Sequence, residues 1–450
     1  MQRNKLILIV LALLVACVVV YFLPPVHSRL AWRLDAAWVQ FKRWLNPPEQ
    51  VVFTPGEQGD ADAVATLVQA TMQAFQDAAT FTPTQAAVTL AALPVQATPT
   101  PSQTPLPSET PLPSATPTAL PEQVVLAGVV HEYQQFNNCG PANLAMALSF
   151  WGWQGDQRDT RAFLRPNLDV DDKNVMPAEM VAYVGQFTAL KAVTRVGGDL
   201  ALLKRLLAAG FPVLVEAGHD PRDDWWMGHY LVINGYDEAQ ARLLTQDSLS
   251  NPDLWVSYEK FANDWRDFNY VFVAIYPTAR QDELLGLLGP LAEQTRSYEL
   301  AAERAQSEIE VLEGRGLYFA WFNLGASLVG LQQYPLAAQA FDSAFELYAK
   351  LPEDQREENS RPFRAMWYRV EPYEAYYYTG RYQDVINLAN TTFAWVSKAV
   401  LEESYYWRGM AYEATGERNR AVADFKKALS LNPNYILARE ALERLGEEIP

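Results

Sequence analysis

The sequence predicts a multidomain chain: an apolar N-terminal helix, then an α+β domain, then an all-α repeat domain. Three observations carry that reading. Residues 6–23 form an unbroken run of uncharged apolar side chains (LILIVLALLVACVVVYFL). Residues 124–280 read as helices first and strands later, the pattern of an α+β domain. Residues 281–450 repeat small and aromatic residues at helical spacing. A length of 450 residues fits two or three folded units at about 100–200 residues each.

The apolar run is just long enough to span a hydrocarbon core of about 30 Å as a helix. Pro24-Pro25 follows it, with no small-residue cleavage site, so it reads as an uncleaved anchor over 1–27. Leu14-Val15-Ala16-Cys17 resembles a lipoprotein cleavage box, but six more apolar residues follow the cysteine. Arg3 and Lys5 precede the run, while Arg29, Arg33, Lys42 and Arg43 follow it. That balance opposes an exterior C-terminus. Residues 28–46 mix those cations with Leu30, Trp32, Trp38 and Phe41, which suits either a helix on the membrane surface or a plain juxtamembrane helix. This segment extends to 81.

Residues 82–122 change composition sharply. They hold 10 of the 29 prolines, with Thr, Ser and Ala around them. No core can form there, and an extended stalk is expected. A stalk of this kind beside an anchor suits a cell-surface protein, and it outweighs the charge count. The reading therefore places the C-terminal domains outside the cell membrane, on a single-pass anchor. The net charge of −17 opposes nucleic-acid binding, which needs clustered cations. Residues 124–280 carry 13 cations and 19 anions, and residues 281–450 carry 17 and 26. The acid thus lies on the folded part. Two cysteines exclude a disulfide framework. Four histidines with one cysteine outside the apolar run argue against structural zinc. No metal or cofactor is expected. Residues 169–174 faintly echo a calcium loop but lack its glycine and closing acid, so they read as a polar loop.

In the domain over 123–280, residues 124–130 are a short β-type run. A helix starts at Cys139-Gly-Pro and continues to Trp151, with Pro141 preorganised for its first turn. Further helices are expected over 177–187 and 199–209, the second ending at Gly210. Strands follow over 212–217, 229–234, 242–246 and 270–276. Cys139 opens its helix, where unpaired N–H groups and the dipole favour a thiolate. His229 opens a strand, and Asp247 ends the next one. Hairpin pairing can bring Asp247 to the imidazole. Gln134, five residues before Cys139, can face the same substrate oxygen. Gln, Cys, His and Asp in this order on a helix and a sheet give the layout of a papain-like cysteine peptidase. His131 and His219 read as structural or exposed. Trp225-Trp226-Met227 suits a groove or a core equally.

Gln134-Gln-Phe-Asn-Asn-Cys139-Gly-Pro-Ala-Asn-Leu-Ala-Met-Ala-Leu resembles the nucleophile motif of the bacteriocin-processing, double-glycine-type cysteine peptidases and their stand-alone relatives. Gly228-His229-Tyr230 with Gly235-Tyr236-Asp237 resembles that family's histidine motif. Gln246-Asp247, then Tyr258-Glu-Lys-Phe261 and Trp265, resembles its acidic motif and closing segment. The resemblance spans about 124–280. It implies Cys139 as nucleophile, His229 as general base, Asp247 as its orienter and Gln134 as oxyanion donor, with Gln135 as a fallback. The chain has no phosphate-binding G-x-x-x-x-G-K-[ST] loop, so it does not carry the ATPase of transporter-linked members.

In 281–450, Trp321, Leu324, Gly325, Leu328, Ala337, Phe341 and Ala344 form one repeat. Tyr405, Gly409, Tyr412, Ala421, Phe425, Ala428 and Pro433 keep its offsets. These spacings resemble the tetratricopeptide repeat. A degenerate copy runs through Tyr373, Tyr376, Gly380 and Val385, and 282–313 adds one or two helices. The small residues let paired helices approach, and the aromatics fill the gaps. Such stacks bind peptides or proteins, although packing on the peptidase domain alone would also use them. The combined expectation is a membrane-anchored cysteine peptidase with a docking module for a protein partner, acting on a peptide or protein. A non-catalytic surface adaptor, and an amide or acyl transferase with the same triad, are the alternatives.

Overall fold

The structure, a computed structural model, describes residues 52–56, 120–167, 175–220, 226–350, 362–394 and 398–450, with scattered positions between 12 and 45. The expected anchor over 6–23 and stalk over 82–122 fall largely outside the described residues, as does the 169–174 loop. Among the described residues, no helix is long and apolar enough to cross a membrane, so the structure lends the anchor no support.

The mixed domain runs β1 (Gln123–Val125), α1 (Cys139–Ser149), α2 (Gln157–Leu164), α3 (Pro177–Phe187), β2 (Leu190–Arg195), α4 (Leu200–Ala208) and β3 (Val213–His219). It continues with β4 (Met227–Asp237), β5 (Arg242–Gln246), β6 (Leu254–Ser257), α5 (Tyr258–Arg266) and β7 (Phe272–Pro277). The strands form one antiparallel sheet in the order β2-β7-β3-β4-β5-β6, and β1 pairs with the end of β4. β4 is longer than the expected 229–234. The β-type run over 124–130 shortens to β1: Gln123–Val125 pair with Gly235–Asp237, and the pairing ends with the Leu126 N–H donating to the Asn234 carbonyl at 2.8 Å.

The two faces of the sheet are covered differently. α1 is apolar almost all round and packs Leu144, Met146 and Leu148 against Leu214, Val232, Val273 and Ile275. α4 lays Leu202, Leu203, Leu206 and Leu207 on Val213, Val215 and Ile233. Asp199 caps α4 by accepting from the Leu202 N–H at 2.6 Å. The helix α6 (Gln281–Leu288) follows β7, and its Leu284 and Leu288 join this second core. It therefore covers the sheet, although its sequence stands with the repeats.

The remaining helices are α7 (Gln294–Ile309), α8 (Gly314–Gly330), α9 (Tyr334–Lys350), α10 (Glu371–Tyr378), α11 (Tyr382–Ala394), α12 (Glu402–Ala414), α13 (Arg418–Leu431) and α14 (Ile436–Arg444). The expected close approach is visible at two glycines. A Cβ on Gly325 would lie 2.8 Å from the Phe341 ring, and one on Gly409 would lie 2.7 Å from Phe425. The same helical core takes in Trp226, Phe268 and Val271 of the mixed domain and Phe53 from the N-terminal segment. The helical region therefore packs on the mixed domain through a shared apolar core.

Candidate active site

Cys139 is the first residue of α1. Asn137, with φ at 51°, turns the chain just before it, and Asn138 occupies the N-cap. The approach is fastened by Gln157 on α2. Its Oε1 accepts from the Gln135 N–H at 2.9 Å and from Asn138 Nδ2 at 2.8 Å, while its Nε2 donates to the Tyr133 carbonyl at 2.8 Å. The chain leading to Cys139 is thus held in place from a neighbouring helix.

His229 and Asp247 come together as the hairpin geometry suggests. His229 Nε2 donates to Asp247 Oδ1 at 2.8 Å, and both side chains are buried. The Asp247 carboxylate also accepts from the Leu249 N–H at 2.9 Å. His131 Nε2 donates to the Asp247 carbonyl at 3.0 Å, so that histidine serves the backbone of the acidic turn. With Nε2 engaged, His229 has Nδ1 left for Cys139, to which it is hydrogen-bonded.

Electrostatics follow from these contacts. Burial pushes the Cys139 thiol up, but the hydrogen bond and charge of His229 oppose it. With the Tyr230 N–H and the Arg165 charge, they hold the thiol below its ordinary range. Burial disfavours the His229 cation, yet Asp247 and Cys139 raise its pKa to about 10. Burial also opposes the Asp247 charge, and His229 overcomes this to hold the carboxyl well below the usual range. The three groups together favour a thiolate–imidazolium pair. His219 lies 5.4 Å from His229, ring centre to ring centre. Burial and the His229 charge lower its pKa to about 4, so it stays neutral beside the pair.

Gln134 is buried and doubly tied to Ser248. Its N–H donates to the Ser248 carbonyl at 2.9 Å, and its Oε1 accepts from Ser248 Oγ at 2.8 Å. Asn143 Nδ2 in turn donates to Ser248 Oγ at 2.8 Å and to the Cys139 carbonyl at 2.9 Å. Because Asn143 supplies a donor, the Ser248 hydroxyl must spend its own hydrogen on Gln134. The Gln134 amide is thereby oriented, with its NH2 group turned away from Ser248. The fallback Gln135 instead accepts from Arg161 at 3.1 Å. Sequence reasoning missed Ser248, Asn143 and Arg165. Ser248 directly follows Asp247, which was the one available signal. Trp226, left open between groove and core, is core: it is 1% exposed, and its Nε1 donates to Asp267 at 2.8 Å.

Among the described residues, Glu179, Glu402 and Glu403 bring carboxylates within 4.8 Å of one another. Glu402 accepts from Asn432 Nδ2 and Glu179 from the Met176 N–H, which ties these acids into the domain junction.

Residues 128–273 match the sequence profile of the Peptidase_C39 like family, and residues 402–435 match that of the tetratricopeptide repeat. A crystal structure from Bacillus anthracis, described as C39-like, is 19% identical and has a TM-score of 0.29. That likeness covers 34% of this chain and 96% of the other. No curated protein matches the sequence. The chain thus joins a C39-like peptidase segment to tetratricopeptide repeats.

Proposed function

We propose that the protein is a cysteine peptidase that hydrolyses peptide bonds through Cys139, His229 and Asp247. It is held at the cell membrane by residues 6–23, and its repeats dock a protein or peptide. The single observation behind the chemistry is the buried His229–Asp247 bond of 2.8 Å beside a thiol at a helix N-terminus. The Cys139 thiolate attacks the scissile carbonyl carbon. The oxyanion takes hydrogen bonds from the Gln134 amide and the Cys139 backbone N–H. His229 gives its proton to the leaving amine, and the acyl group stays on sulfur. A water, deprotonated by His229, then releases the acid and restores the thiolate.

The pH dependence of iodoacetamide alkylation tests this reading. In the full chain with Cys17→Ser, only Cys139 reports. The expected thiolate titrates below the ordinary value of about 8.5 and moves back up with His229→Ala. Slow alkylation that ignores His229 would mean an inert buried cysteine and would remove the enzyme. Adding a primary amine during turnover separates hydrolysis from transfer.

A further inference from the structure

A cavity of about 390 Å³ lies between the mixed domain and the helical region. Pro177, Glu216 and Phe268 line one side, and Tyr368, Glu371 and Glu374 line the other. Tyr230 links it to the reacting sulfur. Its backbone N–H donates to Cys139, and its hydroxyl shares its one hydrogen between Glu216 at 2.9 Å and the Val175 carbonyl at 2.8 Å. The cavity wall is thus one side chain away from Cys139.

Two groups in that wall, which Arg369 also lines, have hydrogen-bonding capacity to spare. Tyr368 is 8% exposed and packs its ring edge-on against Trp226 and Phe268. Its ring lies where a Cβ on Gly228, the residue before His229, would sit. The hydroxyl accepts from the Gly228 N–H, but among the described residues it donates to no acceptor. Glu371 Oε2 is buried without a hydrogen bond. Its Oε1 faces Arg369 at 3.7 Å, and that guanidinium is also used by Asn323 Oδ1 at 2.7 Å. Glu374 has Tyr334 at 3.4 Å. Carboxylates so placed gain from an incoming cation that brings its own hydrogen-bond donors.

We propose that this cavity receives a lysine or arginine side chain of the peptide substrate. In this arrangement Glu371 and Glu374 pair with the cation, and the Tyr368 hydroxyl donates to a backbone carbonyl of the same peptide beside Cys139. The helical region is then part of the substrate site. The inference rests on the peptidase reading only for the position of the scissile bond. A cleft without turnover would make the same selection.

The test uses the full chain with Cys139→Ala, immobilised and exposed to a random decapeptide library, with retained peptides sequenced by mass spectrometry. Lys and Arg should be enriched about tenfold over Leu at one position, the discrimination a buried charged hydrogen bond supplies. Glu371→Gln with Glu374→Gln should abolish the enrichment, and Tyr368→Phe should lower total retention while leaving the preference in place. No retention, retention without basic enrichment, or enrichment that survives both glutamines would overturn the proposal. Cys139 alkylation reports separately: basic enrichment with an inert thiol would keep this pocket and remove the enzyme.

Discussion

Ser248 holds Gln134 from two sides and is itself held by Asn143. Its neighbour Asp247 holds His229. Two adjacent residues therefore set the orientation of both His229, the proposed base, and Gln134, the proposed oxyanion donor. Ser248→Ala should lower kcat by roughly ten- to a hundredfold, below the loss from deleting an oxyanion donor outright, with KM nearly constant. The Cys139 alkylation profile should not move, because the cysteine–histidine pair is untouched; a shifted profile would mean that Ser248 acts through His229 instead. The raised His229 pKa has a stability sign as well. The proton on His229 stabilises the fold fully below its ordinary value of about 6.5 and ceases to do so as pH rises through about 10. The start of a helix at Cys139 and the meeting of His229 with Asp247 were legible because each stands in a local motif. Ser248, Asn143 and Arg165 were not, because their roles arise from contacts across 27 to 114 positions of chain.

At the scale of elements, Asp267 follows α5 and lies under Trp226, where a Cβ on Gly218 of β3 would be 2.2 Å from its carboxylate. Burial pushes its pKa to about 7. The unfolded chain ionises this group near its ordinary value, so stability falls as pH rises from about 4 to about 7. Asp267→Asn, which can keep the Trp226 bond, should raise Tm by several degrees at pH 7 and above, by less at pH 5 to 6, and hardly at all near pH 4. Thermal melts across that range check this; an equal effect at all pH values would sink it. The strands β3, β4, β5 and β7 were legible as runs of apolar residues. β2 and β6 were missed because they lie at the sheet's edges, where partial exposure along the strand leaves a weak alternation. α2 and α5 are short and polar, and their caps, Asp156 and Ser257, were the signals passed over.

At the scale of the whole molecule, the shared core decides how separable the parts are. Trp226, Phe268 and Val271 are buried by helices of the repeat region, and Asn269 donates to Ser327 at 3.0 Å across the same boundary. Each large apolar side chain laid bare costs about 1.5–3 kcal/mol. A chain ended at residue 292 should therefore melt several degrees below the full chain and bind a hydrophobic dye. An unchanged melting point would mean that the two parts are independent. The repeat spacing was legible in the sequence, but the face it turns to the mixed domain was not, because the residues that meet are not neighbours in either pattern.

The short segment at 52–56 has a mechanical consequence. Phe53 is 2% exposed and sits against Phe345 and Tyr376, and the Gly56 N–H donates to Asp384 at 2.9 Å. The chain is thus fastened to the helical region at 56 and returns to the folded body at 120. A pull on the N-terminus would load Phe53 and the Gly56–Asp384 bond first. The repeat helices would bear the strain, and Cys139 would feel it only after that fastening had let go.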